Sequence, residues 1–173
     1  ASLPVFKGAI QTAGDFGIAC TGPVRSVQLF SPTAIGELLS KGAPIYVTTK
    51  SKTSVALFNL LCRREHGQSP NLTSSYTDAT ARLLIGDAAF EYAQRHGSGT
   101  HNIDLGGWWL AQTGLPFVFA RWVVSNSLGA SRKAQVVAWL ERCAASAATE
   151  TGRESLLEGL DFAPEDRLAL HVY

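Results

Sequence analysis

No apolar run in this sequence reaches the roughly 20 residues that a bilayer-spanning helix needs, so the chain is not expected to cross a membrane. Clusters of basic residues are missing as well. Lys and Arg number 15 against 14 Asp and Glu, a formal net charge of +1, which leaves no electrostatic case for nucleic acid. Cysteine is scarce: Cys20, Cys62 and Cys143 are odd in number and lack CxxC spacing. That pattern excludes a disulfide framework and a structural zinc site, and it points to a reducing compartment. The four histidines, His66, His96, His101 and His171, are scattered with no HExxH-type pairing, so no metal is expected. Internal repeats, low-complexity segments and long linkers are all lacking. Charged residues make up only 17%, too few for a disordered tail and in keeping with much buried surface.

What is present fits a folded α/β chain. The 173 residues, 46% of them hydrophobic, suit one compact domain, or one full lobe with part of another. The chain opens on Ala-Ser-Leu-Pro-Val-Phe, without an initiator methionine or signal peptide. It stops in Leu168–Tyr173, inside an apolar-periodic helix with no stop signal, and both ends read as cut.

The organising stretch is Gly22-Pro23-Val24-Arg25-Ser26-Val27-Gln28-Leu29-Phe30-Ser31. A turn signal leads into a β-type run, with Val24, Ser26 and Gln28 expected on one face and Arg25, Val27 and Leu29 on the other. On pattern alone Ser26 reads as a strand serine bonded to a neighbouring carbonyl. A second extended run, Leu115 to Val124, follows much later. The two are expected to be crossing strands, and the block between them one lobe of a two-lobed binding cleft.

Between these runs short strands alternate with short helices. Ser2–Phe6 is a strand candidate, Gly14-Asp15 a turn, and Phe16–Cys20 a further apolar run. A helix is expected from Thr33 to Leu39, ending at Gly42, then a β-rich strand over Pro44–Thr49. The next helix opens in Lys50-Ser51-Lys52-Thr53-Ser54, carries Val55, Phe58, Leu61 and Cys62 as its apolar stripe, and closes at Gly67. Its start is either a simple Ser51 or Thr53 cap or an anion site, because the first helical N–H groups lack internal partners. Strands over Asn71–Tyr76 and Arg82–Ile85 lead to Gly86-Asp87 and a helix to Arg95, with Asp87 its expected cap. That position also lies at the carboxyl end of a strand, where open α/β sheets bind ligands. Thr100–Leu105 is extended and Gly106–Thr113 helical. At most one of the adjacent Trp108 and Trp109 should be fully buried. After Asn126 the character turns helical: Ser131 as a cap, a stripe of Val136, Val137, Leu140, Ala144 and Ala147, then helices over Arg153–Leu160 and Pro164–Val172.

Four ordered motifs carry a resemblance: GPVRSVQLFS, SKTSVALFNLL, LLIGDAA and DLGGWWLAQTGLPFVFARWVV. Together, over Leu3 to Leu160, the chain resembles the MqnA family of menaquinone biosynthesis, which contains the chorismate dehydratases of the futalosine route. The resemblance implies a periplasmic-binding-protein-like fold of type II, two α/β lobes joined by crossing segments, with the first lobe incomplete here. It implies residues 1–23 as a remnant of lobe one and entry to the hinge, 24–118 as lobe two, and 119–173 as the return strand and C-terminal helices. The implied reaction is cofactor-free loss of water from chorismate, giving 3-[(1-carboxyvinyl)oxy]benzoate. A dihydroxynaphthoate synthase of the same pathway is similar in fold, but GPVRSV looks more like the dehydratase branch.

By the same resemblance Ser26 matches the family's active-site serine, and Thr53 and Ser54 match its helix-start hydroxyls. Gly86 and Asp87 sit in its strand-end motif, and Thr113 helps shape the cleft wall. The family's segment before the Leu-Pro-Val-Phe strand, with an Asn that helps hold substrate, has no counterpart here. Gly107 also stands where the family often has Glu. The expected partner is a small dicarboxylate, with no cofactor, no metal, no nucleic acid and no membrane; a homodimer is allowed and a cytoplasmic location expected. The competing reading is a non-enzymatic solute-binding protein or sensor for a small carboxylate, since one fold hosts many functions.

Overall fold

The computed structural model describes residues 9–97 and 101–157. The strand expected over Ser2–Phe6 and the helix over Pro164–Val172 lie outside them. In chain order the elements are β1 (Ile10–Cys20), β2 (Val27–Ser31), α1 (Ile35–Ser40), β3 (Pro44–Val47), α2 (Lys52–His66), β4 (Asn71–Thr73), β5 (Ala81–Ile85), α3 (Asp87–His96), β6 (His101–Asp104), α4 (Leu105–Thr113), β7 (Phe117–Ser125), α5 (Ala130–Ala147) and α6 (Glu150–Leu157). This is the mixed α/β class that the alternation predicts. The described residues divide into two compact units, 17–97 with 101–120, and 9–16 with 121–157.

The first unit is built on a five-stranded sheet of order β4-β3-β5-β2-β6. β3 pairs in parallel with β4 and β5, whereas β2 is antiparallel to both β5 and β6. Four strands therefore point one way and β2 alone points back. Strand alternation sorts the side chains. Leu29, Leu83 and Ile45, each fully buried, face α1, α2 and α4, and meet Leu38, Leu57, Phe58, Leu61 and Leu105 in the main core. Phe30 and Leu84 face the opposite way and pack on Ala89 and Tyr92 of α3. Burying each large aliphatic side chain is worth about 1.5–3 kcal/mol, so this core dominates the unit's stability.

In the second unit Ala13 and Leu140 are the hydrophobic side chains fully buried among the described residues. Polar contacts knit it as well: Lys133 donates to Gln11 Oε1 at 2.7 Å, and Arg121 pairs with Asp15 at 3.2 Å. Trp122 and Trp139 stand edge to face with centroids 6.4 Å apart, each half exposed.

Four expectations need correction. The strand paired with β7 is β1, not the Gly22–Ser31 run, whose strand part is the inner strand β2. β1 also continues through Gly14-Asp15 instead of turning there. Gly14 takes φ +66, a local kink that glycine accommodates without breaking the strand. The helix before β6 is capped by Gly86, with Asp87 its first helical residue. Likewise Gly129 caps α5, and Ser131 lies inside its first turn. In both helices the chain enters one or two residues earlier than the polar residue suggested, because backbone geometry and not side-chain capping sets the start.

Candidate functional site

The topology gathers the sequence motifs at one end of the sheet. The carboxyl ends of β3, β5 and β6 and the amino end of β2 lie on that edge, as the pairs Val27 with Ile85 and Gln28 with Asp104 require. Three helices start there: α2 after β3, α3 after β5 and α4 after β6. The amide-rich starts of helices and the carboxyl ends of parallel strands together form the usual anion-binding edge of α/β sheets.

Ser26 is on this edge, but not in a strand. Residues 21–26 form a bent loop, and β2 begins only at Val27. The expected face alternation over Val24–Gln28 fails because Arg25 adopts φ +48, the one non-glycine residue with positive φ among those described. Such a conformation costs ~1–3 kcal/mol and persists only when its surroundings enforce it. The Ser26 N–H donates to the Val24 carbonyl, closing a tight turn, while the Ser26 carbonyl accepts from Gly86 N–H at 2.8 Å. The backbone of Ser26 is thus held to the β5–α3 junction. Its half-buried hydroxyl has no hydrogen-bond partner among the described residues, which sets aside the strand-serine reading.

Gly86 accompanies Ser26 through that bond. It sits at φ +59 and ψ −142 with open space where a Cβ would be, so backbone conformation alone selects glycine here. Asp87 follows it, exposed, in the first turn of α3, where the helix dipole favours a carboxylate.

At the start of α2, Ser51 is the cap: its Oγ accepts from Ser54 N–H at 3.1 Å, and its hydroxyl donates to Ser54 Oγ at 2.9 Å. Ser54 is buried, at 2% exposure, against the helix. Thr53 is half-buried. The cap of this turn is therefore Ser51, with Ser54 engaged in it, and not Thr53. Thr113 is not brought to the edge. It ends α4, about 13 Å along the axis from the helix start, and its Oγ1 donates to the Trp109 carbonyl at 2.8 Å and accepts from Leu115 N–H.

Asp104 is the edge residue that the sequence reading passed over. Its Oδ1 caps α4 by accepting from Gly107 N–H at 3.0 Å. The carboxylate also accepts from Val24 N–H at 2.9 Å, from Arg25 N–H at 2.6 Å and from Gln28 Nε2 at 3.4 Å. The motif Asp104-Leu105-Gly106 has a physical reason at each position. Leu105 is fully buried in the main core. Gly106 lets the 20–24 loop lie against α4, since a Cβ there would come within 2.5 Å of the Gly22 carbonyl and 2.9 Å of Cys20 Sγ. An Asp immediately before a helical run is itself a capping signal, and that signal could have flagged Asp104.

Behind the edge, α2 and α4 are bridged by Glu65, which accepts from Trp108 Nε1 and, at 2.7 Å, from Gln112 Nε2. The Trp108 hydrogen bond holds the Glu65 carboxyl below its ordinary range against the opposing effect of burial, with lesser help from Gln112 and His66. Trp109 Nε1 instead donates to the Pro116 carbonyl at 3.2 Å. Neither tryptophan is fully buried. Burial pushes the Cys62 thiol up to about 12, so it is a core residue and not a nucleophile. No group of three or more His, Cys, Asp or Glu among the described residues could hold a metal ion. No helix among them is long and apolar enough to cross a membrane.

Fold and edge together define a mixed α/β protein with a free hydroxyl and three helix starts at the carboxyl end of its sheet. Residues 2–167 match the family model described as menaquinone biosynthesis, and the chain belongs to that family, in agreement with the MqnA resemblance. A curated chorismate dehydratase from Thermus thermophilus is 37% identical over 62% of this chain and 45% of the relative. The chain therefore matches less than half the length of that relative. The crystal structure of protein AF1704 from Archaeoglobus fulgidus has a similar fold, with a TM-score of 0.54 and 19% identity, covering 91% of this chain and 60% of that one.

Proposed function

We propose that this chain dehydrates chorismate to 3-[(1-carboxyvinyl)oxy]benzoate without a cofactor, as a lyase of the futalosine route. The fold would be of the periplasmic-binding-protein-like type II, with 24–118 as the second lobe and 1–23 and 119–173 as parts flanking it. The observation that carries the reading is the Ser26 hydroxyl, without a protein partner among the described residues, on a strained turn bonded to Gly86. It occurs in a chain of the menaquinone-biosynthesis family that is similar to a curated chorismate dehydratase.

Loss of water removes one ring proton and expels the adjacent hydroxyl, and the aromatic ring that forms drives the reaction. Ser26 donates a hydrogen bond to the leaving hydroxyl. The α2 start clamps one carboxylate through N–H donors and the Thr53 hydroxyl, with Ser54 holding the cap behind them, and charge-assisted bonding favours this. Gly86 and Asp87 line the same edge, and Thr113 supports the wall from the far end of α4. A carboxylate of the substrate takes the proton, so positioning contributes more than side-chain basicity. The three cysteines are free, which suits a reducing, cytoplasmic location.

Incubation of the chain with chorismate, followed by ultraviolet detection of the aromatic product, tests this. Product formation is expected. Saturable chorismate binding without product would establish the competing reading, a binding protein for a small carboxylate.

A further inference from the structure

We propose that Asp104 is the positioning residue for Ser26: its carboxylate clamps the Val24 and Arg25 amides and so fixes the turn that presents the hydroxyl. The proposal rests on the reading of Ser26 as the reacting hydroxyl, but the clamp itself is independent of it. An ordinary helix cap spends one oxygen on an amide of the first turn, and Oδ1 does this with Gly107. The second oxygen contributes nothing to α4. Oδ2 meets Val24 N–H at 2.9 Å, Arg25 N–H at 2.6 Å and Gln28 Nε2 at 3.4 Å, some 80 residues away in sequence, and Val24 N–H is shared with Oδ1 at 3.0 Å.

Val24 and Arg25 lie in the loop before β2 begins at Val27, so neither amide has a partner in the sheet ladder. Val24 is buried and its amide must find an acceptor; the exposed Arg25 amide gains from a carboxylate, the strongest acceptor that a side chain provides. Gly86 N–H holds the Ser26 carbonyl from the other side. Ser26 is therefore fixed between two strand ends, β5 and β6, that flank β2 in the sheet. Gly106 completes the arrangement by letting the α4 start approach the loop closely enough for Asp104 to reach it.

Asp104→Asn separates clamp from cap. Asn keeps one acceptor oxygen for Gly107 and Val24 but turns an NH2 group toward the Arg25 N–H, setting donor against donor there. Amide exchange followed by NMR should show Val24 and Arg25 protected in the unmodified chain. In Asp104→Asn the exchange of Arg25 should rise at least about tenfold while Gly107, which keeps its oxygen, changes less than about threefold. In chorismate turnover, kcat should fall at least about tenfold with KM within about threefold, since a displaced hydroxyl costs rate more than binding.

Val24 and Arg25 amides exchanging at the rate of free amides in the unmodified chain would overturn the clamp without any variant having to fold. Loosened amides with unchanged kcat, or a raised KM alone, would overturn the positioning role. If the unmodified chain turns over no chorismate, that counts against the dehydratase reading. The clamp is then decided by the exchange of Val24, Arg25 and Ser26 alone.

Discussion

Replacing Ser26 by alanine removes a hydroxyl that bonds to nothing among the described residues. Stability should therefore change by less than about 0.5 kcal/mol. A donor aimed at a leaving group is worth far more in the transition state, so turnover of chorismate should drop about a hundredfold with a modest change in binding. Steady-state kinetics beside a denaturant titration separates the two effects, and near-normal turnover would remove Ser26 from the mechanism. The same logic distinguishes Ser26 from Ser54. Both are hydroxyls in the matching motifs, but Ser54 is buried and accepts from Ser51, so its loss should be felt first in the cap of α2.

At the scale of elements, the bond network between α2 and α4 carries a pH dependence. Glu65 accepts from Trp108 and Gln112, and its carboxyl is held below the ordinary range chiefly by the Trp108 bond. A carboxyl depressed in the folded state stabilises at pH above its unfolded value, and the contribution is lost as pH falls through the folded one. Glu65→Gln keeps the acceptor oxygen and removes the charge. Thermal unfolding should find the variant less stable than the parent at neutral pH, with the difference closing in acid. Because Glu65 is 46% exposed, solvent screening keeps the effect small. A constant difference across pH would remove the carboxylate charge as its cause.

Across the whole molecule, protection against hydrogen exchange should follow the burial of each unit. In the first, Leu29, Phe58, Leu61, Leu83 and Leu105 are essentially inaccessible. In the second, Ala13 and Leu140 are the fully buried hydrophobics among the described residues. Few buried apolar contacts mean low local opening free energy, so β2, β5 and α2 should exchange slowest and α5 markedly faster. Mass-spectrometric exchange reads this directly, and equal protection in α5 and β5 would contradict it.

Local chemistry was legible in the sequence wherever neighbouring residues settle it. The apolar stripe of α2, its closing Gly67, the β-rich run at Pro44 and the break at Gly114 all depend on period, capping and turn preference, which act over a few residues. The four motifs were enough to place the chain in its family. What the sequence could not determine is which strands pair and which side chains meet. Period-2 alternation assigned Ser26 to a strand face, but a single positive φ at Arg25 ended the alternation, and that φ is supported by Asp104, some 80 positions further on. β1 rather than β2 became the partner of β7 for a related reason. Pairing is decided by the summed burial of a whole sheet and by hydrogen bonds between distant segments, neither of which any short stretch of sequence contains.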